Sequence, residues 1–118
     1  MITDVKKSNN LPELIAHIRE RPELYIWPVS VIKLRCFLDG YYLARWELVQ
    51  GADNFGTMNE FQEMVQKRFS MSPTFGWDRI LAFFAGGERE GLDIFWNLWD
   101  EYLADQKKVP IKKKTSID

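Results

Sequence analysis

Residues 30–51, SVIKLRCFLDGYYLARWELVQG, constrain this chain more than any other stretch. Read as a helix, Val31, Leu34, Phe37, Leu38, Tyr41, Tyr42, Ala44, Leu48 and Val49 share one face covering over half the circumference. Ile32, Cys36 and Leu43 add a second, narrower apolar stripe. A helix apolar nearly all round needs partners on two sides, so the pattern predicts a central helix near residues 30–50. Ser30 is placed to cap its start and Gly51 to end it. Gly40 falls mid-helix, where it costs about 1 kcal/mol against alanine, and close approach of another helix would be a reason to tolerate it. Arg35 and Asp39, spaced i, i+4, are set to pair.

Four further helices are predicted around that one. Leu11, Leu14, Ile15 and Ile18 follow i, i+3, i+4, i+7, with Asn10 as cap and Pro12 in the opening turn. Arg21-Pro22 ends this helix, because the residue before proline avoids the helical region. Residues 22–28, PELYIWP, make a connector whose Leu24, Tyr25, Ile26 and Trp27 are too apolar for an ordinary loop, so it is expected to fold back over the core. After a loop at 51–56, Thr57 and Glu60 have capping-box spacing, and Phe61, Met64, Val65, Arg68 and Phe69 carry a stripe to a break at 70–73. Thr74 is read as the cap of a short helix bearing Trp77, Ile80, Leu81 and Phe84, stopped by Gly86-Gly87. A last helix over 88–105 carries Leu92, Phe95, Leu98, Trp99, Tyr102 and Leu103. No alternating run suggests a strand, so the fold class is all-α, a compact bundle of about five helices.

The chain has 118 residues, enough for one core, which is assigned to residues 1–105. Residues 106–118, QKKVPIKKKTSID, lack periodicity and hold five lysines, and are expected to form a flexible tail. Net charge is −1, but residues 1–105 carry 16 acids against 11 bases, so the lysines of the tail hide an acidic body. Such a body disfavours direct contact with nucleic acid and favours a basic protein partner. The single cysteine excludes an internal disulfide and fits a reducing compartment. With no apolar run near the ~18 residues a bilayer needs and no secretory h-region, the expected location is the cytoplasm.

The sequence offers little for catalysis. His17 is the only histidine and is expected on the surface, and Cys36 is read as a small core hydrophobe, so no His/Cys metal set or nucleophile–base pair can be assembled. There is no phosphate-binding glycine loop, and no metal or cofactor is expected. Asp93, Asp100 and Glu101 have the chemistry for a hydrolytic carboxylate pair, but a solvated polar face is the plainer reading.

The last helix nevertheless carries a constellation suited to binding. Asp93, Asn97 and Asp100 lie in a row, with Glu101 beside them and Asp105 at the edge. Asp100, Glu101 and Asp105 fall toward the expected C-terminus of the helix, where the macrodipole disfavours anions by about 0.3–1 kcal/mol each. Trp96 borders this acidic face, in the position of an interface anchor. Asp93, Trp96, Asp100 and Glu101 are therefore the candidate partner-binding residues. Trp46, on the side of Arg35 and Asp39, marks a second face.

Several short motifs carry a family likeness. Arg21-Pro22-x-x-Tyr25, Leu34-x-x-Phe37-Leu38-x-Gly40-Tyr41, Trp77-x-x-Ile80 and Phe95-Trp96-x-Leu98-Trp99-Asp100-Glu101-Tyr102 resemble small helical bacterial immunity proteins of contact-dependent growth-inhibition, or polymorphic toxin, systems. The chain departs from the family pattern Arg-Pro-x-Met-Tyr-Leu-Gly at Leu24, Ile26 and Trp27. The resemblance implies a non-enzymatic protein that binds and neutralises a cognate toxin C-terminal domain, often a nuclease; the acidic residues add the expectation that it covers a basic active face, and a monomer forming a 1:1 complex is expected. The alternative is a helical adaptor or regulatory protein of a larger bacterial assembly.

Overall fold

The computed structural model describes residues 11–49 and 56–117, with side chains over 11–45 and 58–106. Among the described residues there are five α-helices, one short 3₁₀ turn and no strand. The fold is all-α, as the sequence predicts. Helix α1 (Leu11–Glu20) buries Leu11, Leu14, Ile15 and Ile18, the four positions its periodicity selects. Asn10, its expected cap, lies outside the described residues. The chain then turns through the 3₁₀ segment Pro22–Leu24 and enters α2 (Val31–Val49). Ser30 caps α2 through its hydroxyl, which accepts the backbone N–H groups of Ile32 at 3.0 Å and Lys33 at 3.2 Å. The same hydroxyl donates to Glu88 Oε1 at 2.6 Å, tying the start of α2 to the start of the last helix.

Helix α2 is less buried than its composition suggests. Val31, Leu34 and Leu38 are in the core, and Ile32, Phe37 and Tyr41 pack partly against it. Tyr42, Leu43 and Ala44 face solvent. Cys36 is also exposed, not a core hydrophobe. Among the described side chains the wide apolar face is thus corrected to a single stripe, because the neighbouring helices cover one side; the side chains of Leu48 and Val49, and the expected stop at Gly51, lie outside the described residues. The reading of Gly40 is corrected as well: a side chain there would meet nothing within 4 Å. The glycine that does permit close approach is Gly91, where a Cβ would lie 2.8 Å from Val31 Cγ1 and 3.1 Å from the Ala82 backbone.

Helix α3 (Gly56–Phe69) buries Phe61 and Val65. The Thr57 side chain of its expected capping box lies outside the described residues. It stops at Ser70, which takes a left-handed conformation at φ 54°, and Met71 N–H closes the end on Gln66 O at 3.0 Å. Helix α4 (Trp77–Ala85) begins at Gly76, not at the expected Thr74. Its first N–H, on Trp77, donates to Gln62 Oε1 of α3 at 2.6 Å, and Gln62 Nε2 donates to Phe75 O at 2.9 Å. One amide from another helix thereby does the capping, which frees Thr74 for a local turn with Ser72. Gly86 ends α4 at φ 88°, with the N–H groups of Gly86 and Gly87 both 3.0 Å from Ala82 O.

Helix α5 (Glu88–Ile117) packs on α2, α3 and α4. It buries Leu92, Phe95, Leu98, Trp99 and Tyr102, while Phe84 of α4, an expected core ring, is half out of the core. The centre is aromatic. Phe61 of α3 presents edge-to-face contacts to Trp77, Phe95, Trp99 and Tyr102, with centroids 5.3–6.0 Å apart. Such pairs add about 0.5–1.5 kcal/mol each beyond the area they bury. The backbone of α5 runs past Asp105 to Ile117, and the side chains from 107 onward lie outside the described residues.

Candidate functional site

The four candidate binding residues all lie on α5, but they do not form one acidic patch. Asp100 is held by Arg19 of α1 through two bonds, Nη1 to Oδ1 at 2.7 Å and Nη2 to Oδ2 at 3.0 Å. Glu101 is held by Arg68 of α3, Nη2 to Oε1 at 2.6 Å and Nη1 to Oε2 at 3.3 Å. Adjacent residues on a helix point about 100° apart, so the two acids reach opposite neighbours and fasten α5 between α1 and α3. The Arg19 hydrogen bond holds the Asp100 carboxyl below its usual range, against desolvation that works the other way, with the Arg19 charge adding to the bond. The Arg68 hydrogen bond, with its charge, does the same for Glu101. Each guanidinium is raised in turn by the carboxylate it grips.

Both acids also lie well inside a helix that continues to Ile117. Macrodipole effects fade beyond the last turn, so the expected conflict between these acids and the dipole does not arise at this depth. Their presence is explained by the arginines they bind. Trp96 is half-buried, edge-on to Phe95 at 5.2 Å, with the Arg19 guanidinium 5.4 Å from its ring centroid. Arg19 therefore stacks over an indole and forks onto a carboxylate at once. Asp93 is exposed and has no ion-pair or hydrogen-bond partner among the described residues. Of the four, Asp93 and Trp96 keep surface free of ion pairing, while Asp100 and Glu101, though exposed, are already paired with arginines of neighbouring helices.

Tyr102 and Arg35 are paired as well. Tyr102 donates to Glu60 Oε1 at 2.8 Å, and burial, followed by that hydrogen bond and charge, pushes its phenol above the ordinary range. Arg35 bridges Asp39 at 3.5 Å, as its spacing predicts, and Asp78 at 2.9 Å. Arg35, Asp39 and Asp78 border an open groove of about 690 Å³ between α2, α3 and α4 that also takes in Cys36, Gln62 and Trp77. A side chain at position 76 would strike the Arg35 guanidinium, so Gly76 is what lets Arg35 cross to Asp78. The groove places Arg35 and Asp39 as the sequence groups them, whereas the side chain of Trp46 lies outside the described residues. Among the described residues no three His, Cys, Asp or Glu side chains gather as a metal site requires. No described helix is long and apolar enough to cross a membrane.

The connector holds what the sequence reading missed. Ile26 is buried and Tyr25 half-buried, so part of the segment covers the core as predicted. Leu24 and Trp27 turn outward, Trp27 to 73% exposure. The signal was present in the composition, since four successive large apolar residues in a short turn cannot all point inward. A second exposed group sits on α3 and α4, where Phe69 stacks on Phe84 at 4.8 Å and Phe84 meets Phe83, itself 72% exposed, at 5.1 Å. Comparisons of the chain with protein-family models, with curated proteins and with solved structures give no match.

Proposed function

We propose that this protein is an immunity protein, a non-enzymatic cytoplasmic monomer that binds a cognate toxin C-terminal domain, a nuclease, in a 1:1 complex. The observation that carries the reading is the display of Trp27. An indole held 73% exposed beside a buried residue, Ile26, is the kind of side chain that anchors protein interfaces. The excess of acids over bases in residues 1–105 supports a basic partner, since a nuclease must attract phosphate and its active face is basic. The motif resemblance supplies the class. In this reading neutralisation comes from covering that face, without metal, cofactor or chemistry.

The reading expects a large toxin gene directly upstream, and the test is to mix the protein with the C-terminal domain that such a gene encodes and assay nuclease activity. The expected outcome is a 1:1 complex and loss of cleavage at equimolar protein. Full cleavage in the presence of excess protein refutes the reading. The second reading, a helical adaptor, draws on the Phe69, Phe83 and Phe84 rings and predicts binding that leaves cleavage intact.

A further inference from the structure

We infer that the cleft between α1 and α5 receives one lysine or arginine side chain from a folded partner, with Glu20 meeting its charged head and apolar walls holding its stem. The sequence lays the cleft out as two facing stripes. On α1, Pro12, Ile15, Ala16, Arg19 and Glu20 follow i, i+3, i+4, i+7, i+8. On α5, Trp99, Asp100 and Leu103 share the opposing side. Together they line an open cleft of about 320 Å³. Ile15 and Trp99, both buried, make its floor, and Pro12, Ala16 and Leu103 its apolar walls.

Arg19 bridges the cleft and is satisfied within the fold. Its guanidinium meets Asp100 at 2.7 and 3.0 Å and lies 5.4 Å from the Trp96 ring centroid. Glu20 differs. It is exposed and has no ion-pair partner among the described residues, and the neighbouring Arg21 lies 3.9 Å from Glu23. The charged residues of the lining are thus one base, Arg19, against two acids, Glu20 and Asp100. Glu20 is also the last residue of α1, at the end where the helix dipole disfavours an anion and attracts a cation.

Charge and shape select the occupant. An aliphatic side chain would suit the walls but would take water from Glu20 without replacing it. A carboxylate or phosphate would meet an excess of negative charge. Lysine and arginine combine an apolar stem with a cationic head, and that head neutralises the rim. The volume sits at the small end of the range of about 300–1,000 Å³ seen for ligand sites, which suits one side chain and not a whole segment. With Arg19 already locked to Asp100, the cleft is formed before a partner arrives, which lowers the ordering cost of binding. In the immunity reading, on which the source of the side chain rests, it projects from the basic face of the toxin domain.

The experiment titrates the full chain with Nα-acetyl-arginine amide, Nα-acetyl-lysine amide and the neutral Nα-acetyl-norleucine amide, followed by heteronuclear NMR. Saturable shifts are expected at Ala16, Glu20, Trp99 and Leu103, with the basic probes binding about threefold or more tighter than norleucine. Glu20→Lys should weaken the basic probes about fivefold or more and leave norleucine within about twofold. Ala16→Leu, which fills the cleft, should abolish saturation by all three. Ala16 and Glu20 are exposed, so the melting curves of both variants should overlay that of wild type. Absence of saturable shifts at these residues with the basic probes overturns the cleft, as does norleucine binding equally tightly. Inhibition of the toxin domain without probe binding overturns the cleft and leaves the immunity reading standing. Probe binding with the toxin domain uninhibited upholds the cleft and refutes the immunity reading.

Discussion

Helices α2 and α5 are both rich in apolar residues, yet they are used differently. Helix α5 packs on three helices and is pinned to the fourth by Arg19, so its stripe of Leu92, Phe95, Leu98, Trp99 and Tyr102 is fully covered. Helix α2 sends Val31, Leu34 and Leu38 inward and leaves Leu43 61% exposed. The difference teaches that an apolar pattern states what a helix is able to bury. What it does bury depends on how many neighbours surround it. The rings of α5 meet Phe61 and Trp77 from two other helices, while the outer stripe of α2 meets solvent.

The largest test of this contrast is truncation. Trp99→Ala removes a ring in contact with Phe61, Phe95 and Tyr102 and should cost about 3–5 kcal/mol by urea unfolding. Leu43→Ala on α2 should change stability by no more than about 0.5 kcal/mol. Equal costs would mean that α2 is covered on both sides.

Gly40 and Gly91, both inside helices, give a smaller and sharper test, because the same substitution should have opposite signs. Gly91→Ala drives a methyl into Val31 and the Ala82 backbone and should destabilise by about 1–3 kcal/mol. Gly40→Ala meets nothing and should stabilise by up to about 1 kcal/mol, the helix-propensity difference. A destabilising Gly40→Ala would restore the close approach that the mid-helix glycine first suggested.

These cases show what is legible in the sequence. Local features are: the four buried residues of α1, the Ser30 cap, the Gly86 stop and the Arg35–Asp39 pair all follow from spacings of a few residues. Features joined across the chain are not. Arg19 and Asp100 are 81 positions apart, and Arg68 and Glu101 are 33 apart, so the acids of α5 read as an unpaired patch until the fold brings their arginines in. The start of α4 is misread for the same reason, since its cap comes from Gln62 on α3. Trp96 and Asp93 are legible as surface candidates, whereas Trp27 needs Ile26 to claim the inward direction first.

The smallest expected effect concerns those ion pairs, which α5 makes to its neighbours. Asp100 and Glu101 have carboxyl groups lowered by Arg19 and Arg68, so the unfolded chain binds their protons more readily than the folded one. The stability they contribute is complete above the ordinary carboxylate range near pH 4 and is lost as pH falls through their lowered folded values. Both pairs are substantially exposed, so each should contribute only about 0.2–1 kcal/mol. A double variant, Asp100→Asn with Glu101→Gln, should therefore unfold slightly more easily than wild type at about pH 6, and the gap should narrow toward about pH 3. A gap that does not change with pH would show that the carboxylates act through packing and not charge. A double variant as stable as wild type but impaired in partner binding would return both acids to the interface and take away their structural role.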